Sequence, residues 1–111
     1  MVSEYIVYQK GDAMNTNDKL KKIIEAYGED SQVHIAIEEM SELVKALLKY
    51  RRAVEYGGDA EKCKAHITEE MADVWIMLFQ LELIFRNADA IRSQIEYKIE
   101  RQLKRIKEEK E

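Results

Sequence analysis

The feature that most constrains this chain is an absence: 111 residues contain no proline and only four glycines. Proline breaks helices by removing a backbone donor, and Gly/Pro clusters punctuate sheet-rich folds. Without them the chain divides into long uninterrupted stretches, parted at Gly28 and at Gly57-Gly58. Long stretches with few breakers favour helices, and the spacing of the apolar residues agrees.

Thr16 or Asn17 is placed to cap a short first helix, whose inner face is Leu20, Ile23, Ile24 and Tyr27, with Gly28 as its stop. Ser31 is read as the cap of a second helix, in which Ile35, Met40, Leu43, Val44, Leu47 and Leu48 recur at three- and four-residue spacing. Gly57-Gly58-Asp59 ends it and starts a third helix from about Ala60 to Arg86. Between Val74 and Phe85 that helix is apolar on nearly every side, so a central place is expected for it. A last helix, from about Ala90, follows Asn87 and Asp89 and carries the stripe Ile91, Ile95, Ile99, Leu103 and Ile106. The fold class expected is all-α: a helical bundle with a short first helix, two long central helices and a terminal helix, completed by oligomerisation. Residues 1–15 read as an irregular N-terminal arm, 16–106 as the helical domain, and 107–111 as a polar, fraying tail.

Composition narrows the class of function. The formal charge of −4 argues against a general nucleic-acid or anionic-membrane partner. The longest apolar stretch, from Val74 to Phe85, is interrupted by Gln80 and Glu82 and is too short to span a bilayer. The single cysteine, Cys63, offers no intrachain disulfide and suits a reducing compartment, and the N-terminus has no signal-peptide pattern, so a cytoplasmic location is expected. No glycine-rich phosphate loop is present.

The chemistry lies in two acidic clusters. The second helix contains Glu38-Glu39-Met40-Ser41-Glu42-Leu43, and the third contains Glu69-Glu70-Met71-Ala72-Asp73-Val74, 31 residues further on. Positions three apart on a helix differ by about 60° around its axis, so Glu39 and Glu42 share a face, as do Glu70 and Asp73. Leu43 and Val74 each follow the first carboxylate of their pair by about 40°, which sets the acids at the border of the packing stripe. If the stripes face each other, four carboxylates converge, and partly buried negative charges need a compensating cation. Oxygen-only donors suit Mg²⁺ or Mn²⁺. A di-iron carboxylate bundle wants histidine three residues after glutamate, where this chain has Glu42 and Asp73. Taken singly, such pairs also occur on solvated helix faces.

With these residues in place, the chain resembles the MazG-like, all-alpha nucleoside triphosphate pyrophosphohydrolases over about residues 18–106. The resemblance rests on Glu-x-x-Glu and Glu-x-x-Asp on successive long helices, each followed by leucine or valine and an apolar run. It implies that Glu39, Glu42, Glu70 and Asp73 are Mg²⁺ ligands, with Glu38 or Glu69 assisting. The family pattern continues as lysine, asparagine and arginine in the last helix. Here Lys98 and Arg105 fit, while Gln102 stands in the asparagine position and carries its amide one methylene further out. A homodimer or homotetramer with active sites near the subunit interface is implied as well.

The function expected is Mg²⁺-dependent hydrolysis of a nucleoside triphosphate, NTP or dNTP, to the monophosphate and pyrophosphate. Glu38 is the first candidate for positioning the attacking water or accepting its proton, and Glu69 the second. Lys98, Arg105 and Gln102 are candidates for phosphate contact, and Lys45 and Lys49, three and seven residues after Glu42, are further candidates ranked below them. Trp75, set inside the apolar run, reads as core or interface before it reads as a base-stacking surface. His34, His66 and Cys63 lack the spacing of a zinc or nucleophile site and read as helix-surface or interface residues. Two alternatives stay open: a non-catalytic helical oligomerisation protein with its acids on a wetted rim, and a pyrophosphohydrolase acting on phosphoribosyl-ATP.

Overall fold

A computed structural model describes residues 15–110, and each helix boundary among them has a local chemical cause. Of the expected N-terminal arm, residues 1–14 lie outside the described residues. Asn15 belongs instead to the first helix, α1 (Thr16–Tyr27), as its cap. Its extended backbone lets the side-chain Oδ1 accept from the Asp18 N–H at 2.9 Å, so the cap falls one residue before Thr16.

Gly28 does two jobs. At φ 94° it stops α1, its N–H donating to the Ile24 carbonyl at 2.7 Å. Its own carbonyl accepts from the Gln32 N–H at 3.1 Å, so the next helix, α2 (Glu29–Tyr56), starts at once. The cap expected at Ser31 is therefore three residues late. No side chain caps α2, and Glu29 and Asp30 meet the partial positive charge of its first turn instead.

Gly57, at φ 80°, ends α2. Asp59 opens α3 (Ala60–Phe85) by accepting from the Lys62 N–H at 3.0 Å, as expected of that residue. Arg86 closes α3 in the left-handed region at φ 54°, a conformation that costs a non-glycine residue on the order of 1 kcal/mol. The Asn87 carbonyl then accepts from the Ile91 N–H at 2.9 Å, and α4 (Ala88–Lys110) begins two residues before the expected Ala90. It also continues through residues expected to fray. Lys and Glu are good helix formers, and Lys107 and Lys110 complement the helix's negative end.

The described residues thus form four helices, one short, two long and central, and one terminal. Gln32 meets Gln80 and Glu39 meets Glu70 and Asp73, so numbers rise along α2 as they fall along α3. The two form an antiparallel hairpin about a three-residue turn, and Leu20 and Ile24 bury α1 against it. The core comprises Leu20, Ile24, Ala36, Ala46, Val74, Met77 and Phe79, with Gln32 and Gln80 buried among them.

The expected central place of α3 holds on one side only. Val74, Met77 and Phe79 are buried, while Ile76, Leu78 and Phe85 are exposed. The apolar stripe of α4 is likewise open: Ile99 is 54% and Leu103 55% exposed, and no residue of α4 is buried. After the Arg86–Asn87 corner, α4 meets α3 only near its start, across a cleft of about 380 Å³ lined by Trp75, Phe79, Phe85, Ile91 and Ile95. No helix among the described residues is long and apolar enough to cross a membrane.

Candidate metal centre

The antiparallel pairing of α2 and α3 decides which acids meet. Glu39 from α2 and Glu70 and Asp73 from α3 each offer a carboxylate oxygen, and the three oxygens lie within 4.8 Å of one another. Two ligands on opposite sides of one Mg²⁺ stand about 4.2 Å apart, and around Ca²⁺ about 5 Å. Oxygens this close can be drawn onto a single divalent cation by small side-chain movements. Glu39 and Glu70 are half-buried and Asp73 is exposed, so the group opens to solvent on one side.

The electrostatics are those of crowded anions. Burial is the first cause that pushes the Glu39 carboxyl above its ordinary range. The negative charges of Asp73 and Glu70 follow, then a hydrogen bond with Asp73, then the charge of Glu42. An acid raised in the folded state contributes stability that is complete below its unfolded pKa and is lost as pH rises through the folded one. In the metal-free protein, Glu39→Gln is thus expected to raise the thermal midpoint at pH 7. The gain should shrink towards zero as pH falls to about 4, where glutamate protonates in both states. Melting both proteins in EDTA at the two pH values checks this; a lower midpoint for the variant at pH 7 contradicts it.

Glu42 is not in the group of three. Its Oε1 lies 3.3 Å from Lys45 Nζ one turn on, so Lys45 is engaged with a carboxylate, although Glu42's charge still reaches Glu39. Glu38 is exposed and its Oε1 is 3.8 Å from His34 Nε2, while Glu69 is exposed. Lys49 is exposed on α2, and Lys98, Gln102 and Arg105 are exposed on α4. Among the described residues none of these hydrogen-bonds or ion-pairs with the three carboxylates.

Trp75 is half-buried and stacks on Phe79, ring centroids 5.7 Å apart, which places it in packing. Cys63 is a half-buried free thiol. The sequence reads His66 as a helix-surface or interface residue, and the structure sets its Nε2 3.2 Å from Glu70 Oε1. The signal was present in the four-residue spacing from His66 to Glu70, which stacks two side chains on one helix face. Glu82, on the opposite half of α3, is also raised by burial, against the opposing charge of Arg92.

What the arrangement can do is hold a hard cation between two rigid helices and leave part of its shell open to a ligand. Comparison with family models, with curated proteins and with solved structures finds no match to this chain.

Proposed function

We propose that this protein is a MazG-like, Mg²⁺-dependent nucleoside triphosphate pyrophosphohydrolase. The observation that carries the reading is the convergence of Glu39, Glu70 and Asp73 from two antiparallel helices, with oxygens within 4.8 Å of one another. The raised Glu39 carboxyl supports it: burial first, and then the charges of Asp73 and Glu70, disfavour its ionised form. Glu39, Glu70 and Asp73 hold the cation, and Glu42 joins them by turning from Lys45. Oxygen donors without histidine or cysteine in the group favour Mg²⁺, with Mn²⁺ as a substitute.

When bound, the cation neutralises the triphosphate and lowers the pKa of a water beside it. The remaining work belongs to the chain. Glu38, exposed and adjacent to Glu39, orients the attacking water and accepts its proton, and Glu69 is the corresponding residue of α3. The water oxygen bonds to the α-phosphorus while the bond to the α,β-bridging oxygen breaks. A nucleoside monophosphate and pyrophosphate leave. Lys98, Gln102 and Arg105 on α4 provide two cations and an amide for the phosphates.

The test is a panel of canonical and modified NTPs, dNTPs and phosphoribosyl-ATP, incubated with Mg²⁺, Mn²⁺ or EDTA. Pyrophosphate and monophosphate are expected in equal amounts from at least one substrate, only with metal. Release of orthophosphate, or no release from any substrate, counts against the reading. A phosphoribosyl-ATP preference selects that branch of the chemistry.

A second reading has its own observation. Ile99 and Leu103 leave an apolar stripe on α4 exposed, surface that a homodimer or homotetramer would cover at about 25 cal/mol per Å². An oligomer in sedimentation that neither hydrolyses the panel nor binds Mn²⁺ identifies the protein as a helical assembly module.

A further inference from the structure

On α2 the positions that face α3 include Ala36 and Ala46, both buried, and Glu39 of the converging group. One residue after each stands a large apolar side chain left open: Ile37 at 59% exposure, Met40 at 37% and Leu47 at 44%, with Val44 at 55% between them. Their spacing of three, four and three residues is that of a seam made to meet another helix. α3 repeats the pattern. Met71 follows Glu70, Leu78 follows the buried Met77, and Phe85 extends the stripe seven residues on; all three are exposed. One residue is a turn of about 100° around a helix axis. Two antiparallel helices that face each other, each turned by that step in its own chain direction, bring both stripes out on the same side of the hairpin. Glu38 and Glu69 stand one residue before Glu39 and Glu70 and come out on the other side. The hairpin therefore has an acidic side and an apolar side.

We infer that the apolar side of the α2–α3 hairpin is an interface with a second copy of this chain, which packs the same side of its own hairpin against it. A two-fold contact needs only one self-complementary patch, used twice, and two ridged helix pairs of equal shape fit one another. No charged residue stands at the stripe positions from Ile37 to Leu47 or from Met71 to Leu78, so the face suits an apolar partner and repels none of its own kind. It is about 20 Å long and two helix diameters, about 20 Å, wide. That footprint of roughly 400 Å², enlarged by the relief of the side chains, approaches the scale of about 800 Å² that each partner gives to a stable dimer. Two further observations say that the chain is incomplete by itself. The radius of gyration is 17.4 Å, where a compact chain of about 100 residues has about 13 Å. A helix apolar nearly all round, as α3 is from Val74 to Phe85, belongs inside a bundle, and its own chain covers it on one side only. The second copy's hairpin supplies the missing layer and leaves Glu38 and Glu69 in solvent.

Sedimentation of the full chain tests this, and a dimer is expected. Val44→Glu and Leu78→Glu, one on each stripe, should each weaken the dimer by at least about 100-fold, because a two-fold contact buries the new charge twice. Leu103→Glu, on the exposed stripe of α4, should sediment as the parent does. Peroxide oxidation read by mass spectrometry reports on the same face without any substitution. Met40 and Met71 are 37% and 44% exposed in the single chain, whereas Met77 is 4% exposed. In the dimer, Met40 and Met71 should be oxidised about as slowly as Met77. A monomeric parent overturns the inference, as does a Val44→Glu or Leu78→Glu protein as dimeric as the parent. Oxidation of Met40 and Met71 well ahead of Met77 overturns it as well. A dimer lost in Leu103→Glu and kept in Val44→Glu places the contact on α4, with the same consequence.

Discussion

Glu70→Gln is expected to reduce Mg²⁺-dependent pyrophosphate release by at least about 100-fold while leaving the helices intact. The substitution keeps the shape of the side chain and removes one negative charge from the middle of the cluster. Glu70 is the position where that charge matters most. Its side chain is 15% exposed, it is contacted by His66, and its charge is among those that raise Glu39. A cation bound there is screened by water less than one on the surface, so losing an anionic ligand removes several kcal/mol of stabilisation of the reacting phosphate, about a factor of ten for each 1.4 kcal/mol. Glu42→Gln should cost less, since that carboxylate is already turned to Lys45. Pyrophosphate release as a function of Mg²⁺ concentration, with circular dichroism on the same samples, gives the answer. A Glu70→Gln protein with the parent's activity would remove the residue from the ligand set.

The second large effect is on stability. Gln80, at 1% exposure, is the most deeply buried large side chain, and Gln32 is 5% exposed. The Gln32 Nε2 donates to Gln80 Oε1 at 2.8 Å, and the Gln80 amide in turn reaches Met77 Sδ at 3.8 Å, a weak acceptor. Gln80→Leu fills nearly the same volume but strands the Gln32 amide in the core. Leaving a buried polar group unpaired costs about 1–3 kcal/mol, and 2 kcal/mol lowers the melting midpoint of a domain this size by about 8–16 °C. Replacing both partners removes the stranded group, so Gln32→Leu/Gln80→Leu should recover most of the loss. A double variant as unstable as the sum of the singles would show that the amides contribute separately. Thermal unfolding of the three variants supplies the cycle.

This amide pair and the acidic group share one register. Seven residues beyond Gln32 on α2 is Glu39, and seven residues back from Gln80 on α3 is Asp73. Seven residues is close to two helical turns, so both contacts recur on the same faces of the hairpin. Sliding α2 along α3 by one turn would break the buried hydrogen bond and scatter the carboxylates together. A polar contact that appeared in the sequence only as an interruption of an apolar run is thus the neighbour that aligns the candidate site.

Much of the architecture was legible without coordinates because it depends on near neighbours. Glycine's access to positive φ placed the breaks at Gly28 and Gly57, and Asp59 announced the start of α3 through its own side chain. The pairing of Glu39 with Glu42, and of Glu70 with Asp73, onto common helix faces followed from helical pitch alone. Two helix starts moved, by three residues and by two, because a glycine or asparagine carbonyl began the next helix immediately, a contribution to which side-chain identity is blind.

Long-range geometry decided the rest. Pitch puts Glu42 on the face of Glu39, but only the packing of α2 against α3 shows Glu39 joining Glu70 and Asp73 while Glu42 turns to Lys45. Periodicity gave α4 a core-facing stripe, and nothing in a stripe states whether its partner is in the same chain; in this structure the stripe is exposed. The physical reason is common to both cases. A helix fixes the directions of its own side chains through local hydrogen bonds, whereas the meeting of two helices depends on contacts summed over residues some 30 to 50 positions apart, such as Gln32 with Gln80.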